Sequence, residues 1–213
     1  MAGFDAGAAW ATYLGKVGEL SPESAGLLNP PADETAIAEL EELAGHRLPE
    51  SVKAGWRLHD GQECDEGPGV LLGLWWLPVA EVARQWTTWA QVRAGEDADG
   101  MRSLDLDQRS YPRLAIRRKY TLPGWIPLIA WPYESDYVGL DFDPGPEGRP
   151  GQVINFGQDQ ERKFVAAADF DGLLGWLAAE AAQDRLELDD DTVIHEDGNL
   201  IAALKQASGA TFR

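Results

Sequence analysis

The spacing of hydrophobic positions changes along the chain, and the changes mark out its elements. Trp10, Tyr13, Leu14, Val17 and Leu20 recur at helical spacing and predict an amphipathic opening helix over residues 6–20. Asn29-Pro30-Pro31 breaks the pattern. A second helix is expected to begin near Asp33, carry Ile37, Leu40 and Leu43 on one face, and stop at Gly45. After the Leu48-Pro49 break, a third sets Val52, Trp56 and His59 on one side and ends in the Asp60-Gly61 turn. Val70 to Leu77 is apolar throughout and predicts a strand, and Pro78 then opens a helix with Val82, Trp86 and Trp89 facing the core. Residues 94–124 are the least regular. They join an acidic half (Glu96, Asp97, Asp99) to a basic half (Arg109, Arg113, Arg117, Arg118, Lys119) and read as an insertion, mobile at least in part.

Three closely linked strands organise the rest. Trp125 to Trp131 is apolar at nearly every position, as in a strand covered on both faces, and Pro127 requires an edge or a bulge there. Tyr137 to Phe142 alternates, with Val138, Leu140 and Phe142 on one face and Tyr137, Gly139 and Asp141 on the other. Asp143 to Gly151 is a Pro- and Gly-rich loop, too short for a crossover, so Gln152–Phe156 pairs back antiparallel. Arg162–Ala167 reads as a further strand, and Phe170, Leu173, Leu174 and Leu177 mark a closing helix. A strand at Thr192–His195 and a short helix around Leu200–Gln206 complete the chain. This order predicts an α+β fold: a single domain with a twisted, mainly antiparallel sheet and helices packed on one face or end. The expected division is an N-terminal helical segment (1–27), the α+β domain (28–183) and an acidic C-terminal extension (184–213).

Charge narrows the possible partners. Lys plus Arg number 18 against 36 Asp plus Glu, a net charge of −18. Such a surface repels nucleic acid and anionic membrane and favours a basic protein partner, although solubility alone accounts for the same charge. Nine Trp exceed the needs of a small core, which points to aromatic anchors at a surface or under a loop as well as to burial. The lone Cys64 excludes an internal disulfide and fits a reducing compartment. With neither a secretion-signal pattern at the N-terminus nor an apolar run of about 18 residues, the expected location is cytoplasmic.

Candidate chemistry is sparse. His46, His59 and His195 are scattered without metal-ligand spacing. Cys64 stands beside Asp65 and Glu66, an acidic setting that raises a thiol pKa and does not suit a nucleophile. Asp97 and Asp99 fall where a calcium loop wants ligands, but Gly95 and Leu106 occupy its first and last ligand positions. Asp141 and Asp143 would lie on one face of a strand about 7 Å apart, the pair on which a distant third reading as a carboxylate-dependent hydrolase rests, yet no proton-shuttling His or basic clamp is near them in sequence. No catalytic, cofactor-binding or metal-binding residue is therefore assigned, and the chain is not expected to be an enzyme.

The order of several short motifs resembles the SUKH superfamily, in particular its Smi/Knr-like branch. They are Pro30-Pro31, the helix with Glu41 or Glu42, Gly45-His-Arg-Leu48-Pro49, His59-Asp60-Gly61-Gln62, Trp125-Ile126-Pro127, Leu140-Asp141-Phe142-Asp143, Gly151-Gln152-Val153-Ile154 and the helix with Trp176-Leu177. The resemblance covers about residues 28–180. It implies an α+β binding protein without catalysis: a bacterial immunity protein that neutralises a toxin, or a fungal-type regulator or scaffold of cell-wall synthesis and signalling. Leu48, Pro49, Asp60, Gly61, Trp125, Asp141 and Gly151 occupy the family's signature positions, and read from the residues alone most of them are structural.

Acidity combined with this resemblance favours the immunity reading, with a basic toxin domain as partner, over the regulatory alternative. Contacts should come from acidic loops that also carry aromatic or apolar anchors. Two stretches qualify: Gln62 to Glu66, with Glu63, Asp65 and Glu66, and Trp131 to Tyr137, with Tyr133, Glu134, Asp136 and Tyr137. A solvated loop beside a core aromatic is the plainer account of either. The basic run Arg113 to Lys119 offers a grip for an acidic partner, or a balance for the acidic half of its own segment.

Overall fold

The computed structural model of the chain describes residues 3–65, 67–133 and 135–212. Helices begin where a short polar side chain can accept a free backbone N–H. Asp5 accepts from Ala8 ahead of α1 (Ala6–Leu20), Ser21 from Ser24 ahead of α2 (Pro22–Gly26), and Asp33 from Thr35 ahead of α3 (Glu34–Ala44). Gly45, at φ +72°, ends α3. α4 (Glu50–Leu58) and α5 (Val79–Gly95) each follow a proline that offers no side-chain cap. For α5 the cap comes from a distance, because Asp60 Oδ1 accepts Val79 N–H at 2.8 Å. Asp97, Asp169 and Asn199 cap α6 (Ala98–Leu106), α7 (Phe170–Ala182) and α8 (Leu200–Ala207).

Six strands form one mixed sheet: β1 (Trp75–Trp76), β2 (Arg109–Tyr111), β3 (Trp125–Ala130), β4 (Asp136–Asp141), β5 (Gln152–Gly157) and β6 (Arg162–Ala167). Their order is β1-β3-β4-β5-β6-β2, with every pairing antiparallel except β2 on β6. β7 (Leu186–Asp189) and β8 (Thr192–His195) make a separate hairpin. β3 lies inside the sheet, so Pro127 is accommodated by a register shift between Pro127 and Ile129 and not by an edge. Every residue of β3, β4 and β5 is buried. Tyr137, Phe156 and Trp125 pack on one another along one face, and Trp89 of α5 meets Tyr137 edge-on with centroids 6.4 Å apart.

The end segments enter the same core. Trp10, Tyr13 and Val17 of α1 are fully buried, and Trp10 stacks on Trp76 at 4.4 Å while its indole N–H donates to Ser51 O at 2.9 Å. Gly55 of α4 makes room for that ring, since a Cβ there would fall 2.7 Å from it. At the other end Val193, Leu200 and Leu204 are buried, and buried His195 Nε2 bonds Glu180 of α7 at 2.9 Å.

Four local expectations are corrected. Of the apolar run Val70–Leu77 only Trp75–Trp76 is strand. Leu72 and Gly73 take positive φ (+51° and +84°), so the chain reverses sharply within the core. Leu71 and Leu72 are fully buried, and their hydrophobicity reflects that burial and not a ladder. Leu43 is 44% exposed, and Glu41 and Ala44 take the inward positions of α3. Trp86 is only half-buried, its indole N–H donating to Pro123 O at 2.8 Å. The stretch read as irregular carries α6 and then β2, which closes one end of the sheet, followed by buried Ala115 and Ile116.

Candidate functional site

The two acidic-aromatic stretches, more than sixty residues apart in sequence, meet across one groove. Its first side is set by the Asp60-Gly61 turn. Gly61 has φ +60°, and a Cβ there would lie 2.5 Å from Trp76 O, so only glycine permits this approach. Buried Gln62 then holds the loop against β1: its Oε1 accepts Val70 N–H at 2.8 Å and Trp76 N–H at 3.1 Å, and its Nε2 donates to Pro68 O at 3.0 Å. The opposite side is the β3–β4 turn, where Tyr133 takes φ +63°. That conformation is strained for a bulky side chain. Tyr133 is 77% exposed and meets Trp75 edge-on, with ring centroids 5.0 Å apart.

The groove holds about 400 Å³ and is lined by Asp65, Trp75, Glu81, Arg84, Trp131 and Tyr133, among others. α5 supplies an ordered polar edge. Glu81 accepts from Arg84 Nε at 2.7 Å and from Gln85 Nε2 at 2.6 Å, and Gln85 Oε1 in turn accepts Tyr137 O–H at 2.6 Å. Cys64 also borders the groove. Burial first, then the charges of Glu81 and Asp65, push its thiol up to about 12, so it stays protonated at neutral pH. A mixed lining, more polar than apolar, that sets Trp75, Trp131 and a projecting Tyr133 among charged side chains suits recognition of another protein's side chains.

The expected contact residues divide by burial. Asp65 and Tyr133 are exposed and line the groove; Glu63 is exposed but is not among its lining residues. Glu66 and Glu134 lie outside the described residues. Asp136 and Tyr137 are in the interior. Asp136 Oδ1 accepts Asp159 N–H at 3.0 Å and its Oδ2 accepts from Gln160 Nε2 at 2.7 Å, a brace for the β5–β6 turn, and Tyr137 is a core ring. Neither presents a side chain to a partner. Sequence reasoning missed Trp75, Glu81 and Arg84 as groove residues. It also missed Gln62 as organiser, whose signal is an amide placed between a tight turn and a fully apolar run.

The signature positions brace the fold. Leu48 is buried, and its N–H donates at 2.8 Å to Glu41 Oε1, which Lys53 also reaches. Pro49 leads into α4, and Asp60 caps α5. Trp125 Nε1 donates to Asp141 Oδ1 at 3.0 Å, and Asp141 also accepts Asp143 N–H at 2.9 Å and Gln152 Nε2 at 2.8 Å. Burial outweighs these donors and pushes the Asp141 carboxyl up to about 6. Gly151, at φ +85°, makes the turn into β5. Asp143 accepts Gly124 N–H at 3.0 Å, so both carboxyls of the Asp141–Asp143 pair serve local structure. His59 Nδ1 bonds Asn29 O at 2.9 Å, and His46 stacks on Phe142 at 4.4 Å. Among the described residues no group of three His, Cys, Asp or Glu could hold a metal ion, and no helix is long and apolar enough to cross a membrane.

Comparison with known proteins bears on this arrangement directly. Residues 31–176, more than half of the chain, match the family model described as SMI1 / KNR4 family (SUKH-1). The chain is 33% identical over 151 residues to the "Cell wall biosynthesis/cell cycle regulator smi1" of Schizosaccharomyces pombe, covering 68% of this chain and 30% of that protein. It is 28% identical over 221 residues to the "Cell wall assembly regulator SMI1" of Saccharomyces cerevisiae, covering 90% and 44%. To the "Glucan synthesis regulatory protein" of Neurospora crassa it is 28% identical over 184 residues, covering 73% and 34%. The chain therefore spans less than half the length of each of these relatives.

Proposed function

From the premise that this chain belongs to the SMI1 / KNR4 family (SUKH-1), we propose that it is a non-catalytic protein-binding module with a regulatory role in cell-wall synthesis. Its relatives are named as regulators of wall assembly and of glucan synthesis, and the chain matches 30–44% of their length. The observation that carries the reading is the convergence of the 62–65 loop, α5 and the β3–β4 turn on one groove with Tyr133 strained outward at its lip. An aromatic held at a backbone cost of roughly 1–2 kcal/mol and left largely in water is the form expected of a binding anchor.

Acidity taken with the superfamily resemblance favours toxin neutralisation, and the named relatives shift the reading to regulation. The net charge of −18 still supports a basic partner at the groove, because it speeds encounter with any basic surface. The test is made in the cell of origin. Deleting the gene should sensitise cells to wall-perturbing dyes, wild-type protein should restore resistance, and Tyr133→Gly should not. Unchanged wall sensitivity, combined with rescue of growth against the product of the adjacent reading frame in a one-to-one complex, would establish immunity instead.

A further inference from the structure

A second cavity, of about 800 Å³, is framed by β2, the residues after β2 and Pro146, with Thr211 and Phe212 closing it. In a protein of net charge −18 it is lined by four arginines, Arg109, Arg113, Arg117 and Arg118. Among the described residues none of the four forms an ion pair; Arg93, Arg149, Arg162, Lys163 and Lys205 are unpaired too, so what sets these four apart is their gathering around one cavity. Three are held in place by backbone carbonyls instead. Arg109 Nη1 donates to Leu106 O and Gln108 O, each at 3.0 Å. Arg118 Nε donates to Gln108 O at 2.7 Å, and Arg117 Nε to Pro144 O at 3.1 Å. Each guanidinium has five N–H donors, so these anchors orient the groups and leave donors over. Arg113 has no hydrogen bond among the described residues and is exposed.

Apolar groups stand beside the charges. Tyr111 and Phe212 meet edge-on at 6.2 Å, and Leu114, at φ +68°, is 45% exposed. Guanidinium forks match carboxylate and phosphate oxygens, and the adjoining apolar surface matches a neighbouring side chain on the same ligand. The volume suits a short segment, while the overall negative charge repels a long polyanion. We infer that this cavity binds a short anionic peptide segment of a partner protein, one that carries two closely spaced phosphorylated or acidic side chains next to an apolar residue. The site is distinct from the groove at Tyr133 and stands or falls separately from it.

The test is fluorescence anisotropy with fluorescein-labelled ten-residue peptides. Each carries two phosphoserines, two aspartates or two serines, spaced one to four residues apart around a leucine. Phosphoserine or aspartate peptides should bind saturably and more weakly as salt rises, and the serine peptides should not bind. Arg113→Glu and Arg117→Ala should each weaken binding about tenfold or more. Arg102→Glu, on the same helix–strand segment but paired with Asp99 and outside the cavity, should not, nor should Tyr133→Gly. Near-ultraviolet circular dichroism establishes that the variants are folded. The inference is overturned by an absence of binding across the whole set. It is overturned equally by the same loss in Arg102→Glu, by loss in Tyr133→Gly, or by inorganic pyrophosphate competing as well as the best peptide.

Discussion

Two tyrosines four residues apart should respond to mutation very differently. Tyr133→Gly removes an exposed ring from a left-handed backbone position, while Tyr137→Ala empties a core site. At 133 the left-handed conformation costs a non-glycine residue roughly 1–2 kcal/mol, which glycine recovers. Glycine gives back roughly 0.5–1 kcal/mol of that through the greater freedom of the unfolded chain. The edge-on contact with Trp75 is worth about 0.5–1.5 kcal/mol. With the residue 77% exposed, lost burial adds only about 0.5 kcal/mol. Gains and losses cancel to within about 1 kcal/mol. Tyr137 is buried, and its hydroxyl donates to Gln85, so truncation should cost about 3–5 kcal/mol. Urea unfolding followed by tryptophan fluorescence measures both, given equal slopes against denaturant. A loss above about 2 kcal/mol for Tyr133→Gly would show that the ring is a structural brace, and the reading of Tyr133 as a binding anchor would fail.

Other sites make sharper demands on stability and chemistry. Gly61→Ala places a methyl 2.5 Å from Trp76 O at a positive φ, and the atoms in the way are backbone. It should cost about 3 kcal/mol or more in thermal unfolding, through strain and loss of the Asp60 cap on α5. Asp141 holds its carboxyl at about 6 against 3.8 for an ordinary aspartate, so between about pH 4 and 6 the native state keeps a proton that the unfolded chain has lost. Asp141 by itself should therefore take up to roughly 3 kcal/mol from stability as pH rises through that window. The opposite trend comes from Glu34 and Glu50, whose carboxyls cationic partners hold low, and from Glu41, held low against its burial by Leu48 N–H, Lys53 and Arg47. Asp141→Asn should remove the Asp141 contribution from the profile. Cys64, its thiol pushed up to about 12, should react with iodoacetamide at pH 7.5 far more slowly than a free cysteine, and mass spectrometry reads the rate.

The sequence carried the elements with a clear period and missed contacts that depend on what lies across from them. Trp10, Tyr13 and Val17 repeat at helical spacing because one stripe of α1 is buried, and that stripe is visible without a partner. In β4 alternation exists, but both faces are covered, so polarity no longer separates inside from outside. Asp136 and Tyr137 therefore looked available when they are core residues. The run Val70–Leu74 is apolar because it is enclosed, and its positive φ at Leu72 and Gly73 cannot be read from hydrophobicity. The groove was half legible. Each acidic-aromatic stretch stood out alone, but their meeting across Trp75, Glu81 and Arg84 is a product of sheet order, in which β1 pairs with β3. The arginine run was visible as charge, while its enclosure by Phe212 from the far end of the chain was not.

The central claim is that another protein is recognised at the Tyr133 groove, and photocrosslinking tests it most directly. A benzoylphenylalanine placed at position 133 and irradiated in living cells of origin should give a discrete adduct with one protein. Asp65→Arg with Glu81→Arg, which replaces both carboxylates lining the groove with cations, should abolish that adduct. No adduct from position 133, or one that survives the reversal unchanged, would contradict the account.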